Sequence, residues 1–235
     1  MLNMKEVNKN IDEVEAFYLG PTAAAVKLSF ARIIKDELFG AKGLGSVSLR
    51  VLVAGDKDMF AGVVPKGTSF VSKEDVARGE LDFPDCSFDE VIIFNAFDEK
   101  RLLDGFMREV WRVLEDGGKV LFFAPSPISF WRIDKRTPLG SGLSFCPLKL
   151  WFRLARLRFT PLKVRRALLL PPRFYDAKWA EREAKHQFWL APLAGAFAVL
   201  CEKRLIAMPP KVRARIFSPK VASSASPATT AFLKP

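Results

Sequence analysis

Apolar residues fall along this chain in two rhythms, short near-continuous runs and longer stripes at helical spacing. From Ile11 to Phe39 the pattern is helical with a break at Gly20 and Pro21. Pro21 suits a first helical turn, and Ala23, Val26, Phe30, Ile33, Ile34 and Leu38 recur on one face. Gly40, Gly43 and Gly45 end that pattern. The run Leu49 to Gly55 then reads as a buried parallel strand. Thr68 to Ser72 predicts a second strand, Asp89 to Asn95 a third rich in β-branched and aromatic residues, and Lys119 to Ala124 a fourth. Between the last two, Asp98 to Glu115 carries the clearest helical stripe: Leu102, Leu103, Phe106, Val110, Val113 and Leu114. Asp98 is its expected N-cap, and Gly117 with Gly118 its stop.

Strand, helix and strand in close succession form a βαβ unit with a right-handed crossover. Both strands are apolar almost throughout, so helices are expected on both faces of the sheet. The fold class is therefore α/β, a doubly wound and mostly parallel sheet. Only twelve residues, Asp56 to Gly67, separate the first two strands. That is close to the minimum for a crossover, with room for about two helical turns from Lys57 to Val64. A reduced second strand and first crossover follow.

Beyond Pro125, Pro147 to Leu157 predicts an amphipathic helix, Arg158 to Leu170 a strand, Asp176 to Trp189 a helix and Ala196 to Lys203 a last strand. The expected organisation is an N-terminal helical segment (1–45), an α/β domain (46–207) with a basic insertion at about 130–173, and a disordered basic tail (208–235).

Charge changes this picture. The formal net charge of +11 is concentrated: Phe130 to Arg173 holds eleven Lys or Arg against one acid, Asp134, and Leu205 to Pro235 five against none. Such asymmetry points to an anionic partner at 149–166, either RNA or a membrane surface. There Lys149, Arg153, Arg156, Arg158, Lys163, Arg165 and Arg166 interleave with Trp151, Phe152 and Phe159. Cys86, Cys146 and Cys201 are widely spaced, which fits a reducing compartment and offers no CxxC pair. A single histidine, His186, excludes a His-rich metal site and reads as an ordinary helix residue, so no metal is expected. The N-terminus has no apolar run of signal-peptide length. The longest apolar stretch, Phe188 to Cys201, is too short to span a bilayer and contains Pro192 and Gly195. The expected location is cytoplasmic.

Two spaced motifs carry a resemblance. The first is Leu81, Phe83, Pro84, Asp85, Ser87, Phe88 and Asp89, a turn leading into a strand; the second is Arg112, Val113, Leu114, Gly117, Gly118 and Lys119. Together with Phe17, Tyr18 and Pro21, and with Phe130, Trp131, Thr137, Pro138 and Gly140, they resemble the class I S-adenosylmethionine-dependent methyltransferases. The likeness is to small bacterial members with a type 11 methyltransferase domain. The resemblance implies a Rossmann-like methyltransferase fold, S-adenosylmethionine as cofactor and an acceptor that the sequence does not name. By position it implies cofactor contacts at Ala54, Gly55 and Asp56 after the first strand, at Glu80 and Leu81, and at Asn95, Ala96 and Phe97 after the strand Asp89 to Asn95.

The pattern departs from the family at the first turn. Val53 to Asp58 contains one glycine where the family has several, and Gly62 lies too far along to line the same turn. Val71, Ser72 and Lys73 stand where the family places a ribose-binding acid, so Glu74 or Asp75 would have to substitute. No fixed catalytic residue is expected, because methyl transfer can rest on positioning. The alternative expectation is a domain that has lost the cofactor and serves as a binding or scaffolding module for the anionic partner. A nicotinamide oxidoreductase needs G-x-G-x-x-G after the first strand, and that motif is absent.

Overall fold

The computed structural model describes residues 16–40, 49–135, 137–183 and 193–204. These belong to one unit, Met1–Leu205; the second unit, Ile206–Pro235, falls outside the described residues, as do His186 and residues 11–15. The element order is α1 (Pro21–Ile34, continued by a π-helical turn Lys35–Phe39), β1 (Val51–Gly55), α2 (Lys57–Phe60), β2 (Ser69–Val71), α3 (Lys73–Arg78), β3 (Phe88–Phe94), α4 (Leu102–Val113) and β4 (Leu114–Pro125). After a 3-10 turn (Phe130–Arg132) come α5 (Pro138–Ser141), α6 (Pro147–Arg156), β5 (Phe159–Ala167), a second 3-10 turn (Pro172–Phe174), α7 (Ala177–Arg182) and β6 (Ala196–Lys203).

The strands form one sheet in the order β2-β1-β3-β4-β6-β5. β2, β1, β3 and β4 are mutually parallel, and β6 runs antiparallel to both β4 and β5. Period-two alternation sends successive side chains to opposite faces. Val51, Val53, Ile92, Phe94, Leu121 and Phe123 face α1 and α2, while Leu52, Ala54, Val91, Ile93, Val120 and Phe122 face α4 and α6. The doubly wound α/β architecture is therefore present, with helices on both faces.

Local chemistry fixes where elements start and stop. α1 begins with Pro21 at its first turn, and its buried stripe includes Val26, Phe30, Ile33 and Ile34. The Phe30 ring stacks on Phe123 at 4.5 Å and meets Phe94 edge-on at 5.4 Å. Truncating so buried a ring costs about 3–5 kcal/mol in comparable cores. α4 starts later than its stripe predicts. Phe97 is buried against Phe106 and Phe122, and Asp98, instead of capping the helix, pairs with Lys73 at 3.1 Å, leaving Arg101 as N-cap. α4 also ends earlier, at Val113, because Leu114 pairs with Phe88 as a strand residue. The intervening Glu115–Gly118 bulges out before Glu90 pairs with Lys119.

The first crossover is short, as its length predicts, and α2 has a single turn capped by the Asp56 carboxylate, which accepts from Met59 N–H. The structure adds a helix that the hydrophobic pattern does not predict. α3 is opened by a capping box in which Ser72 Oγ accepts from Asp75 N–H and the Asp75 carboxylate accepts from Ser72 N–H.

Candidate functional site

In an open α/β sheet, ligands bind beyond the carboxyl ends of the strands where the strand order reverses. Here that point lies between β1 and β3: the chain passes from β1 outward to β2, and from β3 the other way to β4. Gly55 pairs with Phe94 at this mouth, and Asp56 N–H donates to Phe94 O at 3.1 Å. Gly55 has φ +101°, and a Cβ built on it would lie 2.1 Å from Phe94 O and 2.8 Å from the Ala96 Cα. Only glycine permits this approach of the β1 turn to the β3 turn.

The mouth thus gathers Gly55, Asp56, Asn95 and Ala96. Ala54 is buried in β1 below it, and Phe97 is turned into the core. Glu80 and Leu81 are not part of this cluster. Glu80 is exposed, and Leu81 is held to the later turns of α4, its N–H donating to Glu109 and its carbonyl accepting from Arg112 at 2.9 Å. The same guanidinium bonds Phe83 O, Asp85 and Glu109. The Leu81–Asp89 motif is therefore first a structural clasp around Arg112, and these partners push that guanidinium's pKa up.

Two side chains set the electrostatics of the mouth. The Asp56 carboxylate accepts from the Tyr18 hydroxyl as well as from Met59 N–H. Burial raises its pKa above the ordinary carboxylate value despite those bonds. Burial and the neighbouring Asp56 carboxylate push the Tyr18 phenol well above its own range, so it stays a donor. Asn95 adopts φ +51°, a conformation asparagine tolerates better than most residues. Its Oδ1 is buried with no hydrogen-bond partner. Gly142 rests directly on it, since a Cβ there would come within 2.7 Å of Oδ1. The Arg132 guanidinium holds this covering segment by bonding the carbonyls of Gly140 and Gly142 at 2.9 and 2.7 Å.

At the end of β2 the expected acid is absent. Asp75 is engaged in the α3 capping box and with Arg78, Lys73 pairs with Asp98, and Glu74 is exposed. Sequence reasoning missed Gly142 as a neighbour of the mouth, because its contact with Asn95 joins distant segments. A cleft of about 540 Å³ at the opposite, amino-terminal edge of the strands is lined by acids including Asp36, Glu37, Glu115 and Asp116. No reversal of strand order lies at that edge, so the β1–β3 mouth remains the candidate. No group of three or more His, Cys, Asp or Glu that could hold a metal occurs among the described residues.

Residues 62–122 match the family model described as "Methyltransferase domain". The fold is similar to that of a S-adenosylmethionine-dependent methyltransferase, possible histamine N-methyltransferase, from Thermotoga maritima. That similarity has a TM-score of 0.54 and 14% identity, and it covers 83% of this chain and 97% of the other. The chain therefore has a Rossmann-like fold of the kind seen in methyltransferases. A S-adenosylmethionine-dependent methyltransferase from Archaeoglobus fulgidus is also similar, with 15% identity, 74% of this chain and 94% of the other covered, and a TM-score of 0.43. No curated protein matches the sequence.

The basic segment of the chain is partly neutralised from within. Arg153 pairs with Asp104 at 2.6 Å, and Glu37, which is buried, receives Lys163 at 2.9 Å and Arg165 at 2.7 Å. No helix among the described residues is long and apolar enough to cross a membrane.

Proposed function

We propose that this chain binds S-adenosylmethionine at the β1–β3 mouth and transfers its methyl group to an acceptor. The observation that carries this reading is Asn95 Oδ1, a buried acceptor without a donor at the reversal of strand order. Leaving such an atom unpaired costs about 1–3 kcal/mol, which a ligand ammonium would recover. Gly55 supplies the close backbone approach, and the Asp56 and Asp58 carboxylates favour a cationic ligand face. The bound cofactor would supply a methyl group activated by its sulfonium. The chain's part is to position and to exclude water, so no general acid or base is assigned.

The β2 side fits less well, because Asp75 is engaged in the α3 capping box and with Arg78, and Glu74, the carboxylate left there, lies exposed on α3 past the strand end. Affinity below that of a complete site follows. The same features favour a second reading, a methyltransferase fold that has lost the cofactor and serves as a binding or scaffolding module for an anionic partner. Titration calorimetry with S-adenosylmethionine and S-adenosylhomocysteine separates the two. Saturable heat that disappears in Asn95→Ala supports the first reading; no heat at millimolar ligand overturns it.

A further inference from the structure

The carboxyl ends of β4 and β5 lie on the same edge of the sheet, and the segments that follow them meet. Trp131 Nε1 donates to Leu170 O at 2.7 Å, and the Trp131 and Tyr175 rings contact edge to face at 5.7 Å. Trp131 and Tyr175 point inward and are buried, and the Tyr175 hydroxyl donates to the buried Glu183 carboxylate at 2.8 Å. Their neighbours point outward. Ile128 is 70% exposed, Ile133 77%, Phe174 66% and Phe130 45%. Phe130 and Ile133 share a cleft of about 540 Å³ with Asp134, Pro171, Pro172 and Arg173.

This is an apolar rim on a fixed base, since the inward anchors hold the backbone that presents the outward side chains. Scattered exposed hydrophobes need no explanation, but four on two segments that are anchored to each other do. The surrounding charge selects the occupant. Lys135, Arg173 and Lys178 are exposed on or next to these segments; of the two acids there, Asp134 lines the cleft and Asp176 is occupied as the N-cap of α7, accepting from Trp179 N–H at 2.8 Å. Protruding aromatic and aliphatic side chains ringed by basic residues are the chemistry of an anionic bilayer surface, into which the apolar groups insert while the cations stay among the headgroups.

We propose that the rim formed by Ile128, Phe130, Ile133 and Phe174 docks the protein peripherally on anionic membranes. This does not depend on cofactor binding, and it places the contact away from the basic segment 149–166.

The test is co-sedimentation of the full chain with phosphatidylcholine vesicles with and without phosphatidylglycerol. Binding is expected only to the anionic vesicles, weakening as salt rises. The combined variant Ile128→Ser, Ile133→Ser, Phe174→Ser should bind about tenfold less or worse, and Arg173→Ala about fivefold less. The variant Lys149→Ala, Arg156→Ala, Arg158→Ala, Arg166→Ala should bind as the parent does. Absence of binding, binding unchanged in the serine variant, or loss confined to the 149–166 variant would each overturn the proposal. Hydrogen exchange on the unmodified protein guards against misfolded variants: vesicles should protect residues 126–135 and 170–176, and exchange there unchanged by vesicles would also overturn it.

Discussion

Gly55→Ala is the most demanding test of the β1–β3 mouth. The new Cβ would sit 2.1 Å from Phe94 O and 2.8 Å from both Ala96 N and Cα, all backbone atoms that no rotamer change can move. Three costs combine. Holding alanine at φ +101° costs about 1–3 kcal/mol. Forcing the β1 and β3 turns apart costs about 1–3 kcal/mol, as overpacking does elsewhere. Moving Phe94 O also weakens its bond from Asp56 N–H, worth about 0.5–1.5 kcal/mol. The sum, roughly 2.5–7.5 kcal/mol, is a large share of the 5–15 kcal/mol typical of a domain. At about 2–4 °C per kcal/mol for this size, Tm should fall by roughly 5–30 °C. Gly62→Ala is the control, since Gly62 also has positive φ (+79°) but no atom within 4 Å of the built Cβ. It should cost about 1 kcal/mol, a shift of a few degrees. Differential scanning calorimetry of the two variants decides: equal, small shifts would mean that the turns do not approach as described.

Arg112→Lys cannot reproduce the fork that bonds Leu81 O, Phe83 O, Asp85 and Glu109, so urea denaturation should show a loss of about 1–3 kcal/mol, nearly as large as for Arg112→Ala. Thiol alkylation near pH 8 should spare Cys201, whose thiol burial pushes up to about 12, and modify Cys146 first, whose pKa is lowered by backbone hydrogen bonds from Lys149 and Leu148; mass spectrometry of partly labelled protein reads the order. Asp56 has a folded pKa above its unfolded one, so the folded state holds more protons and stability falls as pH rises through that window, which opens near 3.8. Asp56→Asn should flatten that part of the stability–pH curve, and an unchanged slope in urea titrations would contradict the assignment.

The sheet was readable wherever one residue type repeats at one period. The strands at Leu49–Gly55, Asp89–Asn95, Lys119–Ala124 and Ala196–Lys203 are apolar runs, and all four pair in the expected sheet. Boundaries were less readable, because tertiary contacts set them: Phe97 packs against Phe106 and delays α4, and Leu114 joins β4 rather than the helix. α3 went unread, because six residues are too few for a hydrophobic stripe and its only local signal is the Ser72 and Asp75 capping-box spacing. Of the positions that the resemblance implies, Gly55, Asp56, Asn95 and Ala96 converge at the β1–β3 mouth, whereas Glu80 is exposed and Leu81 is bonded to α4. The pairing of Lys163 and Arg165 with Glu37 joins residues more than a hundred positions apart, so the charge run alone overstates the free basic surface. The apolar rim was equally hidden, since Trp131 and Tyr175 differ from Phe130 and Phe174 only in which way the folded backbone turns them.

The central claim is that a cofactor-binding mouth survives between β1 and β3 although the first turn carries one glycine. Isothermal titration with S-adenosylhomocysteine, which binds without turning over, tests it most directly. Saturable one-to-one binding, weakened in Asn95→Ala while that variant keeps its fold, is the predicted result. No detectable heat and no thermal shift at millimolar ligand, in protein that is folded by circular dichroism, would contradict it.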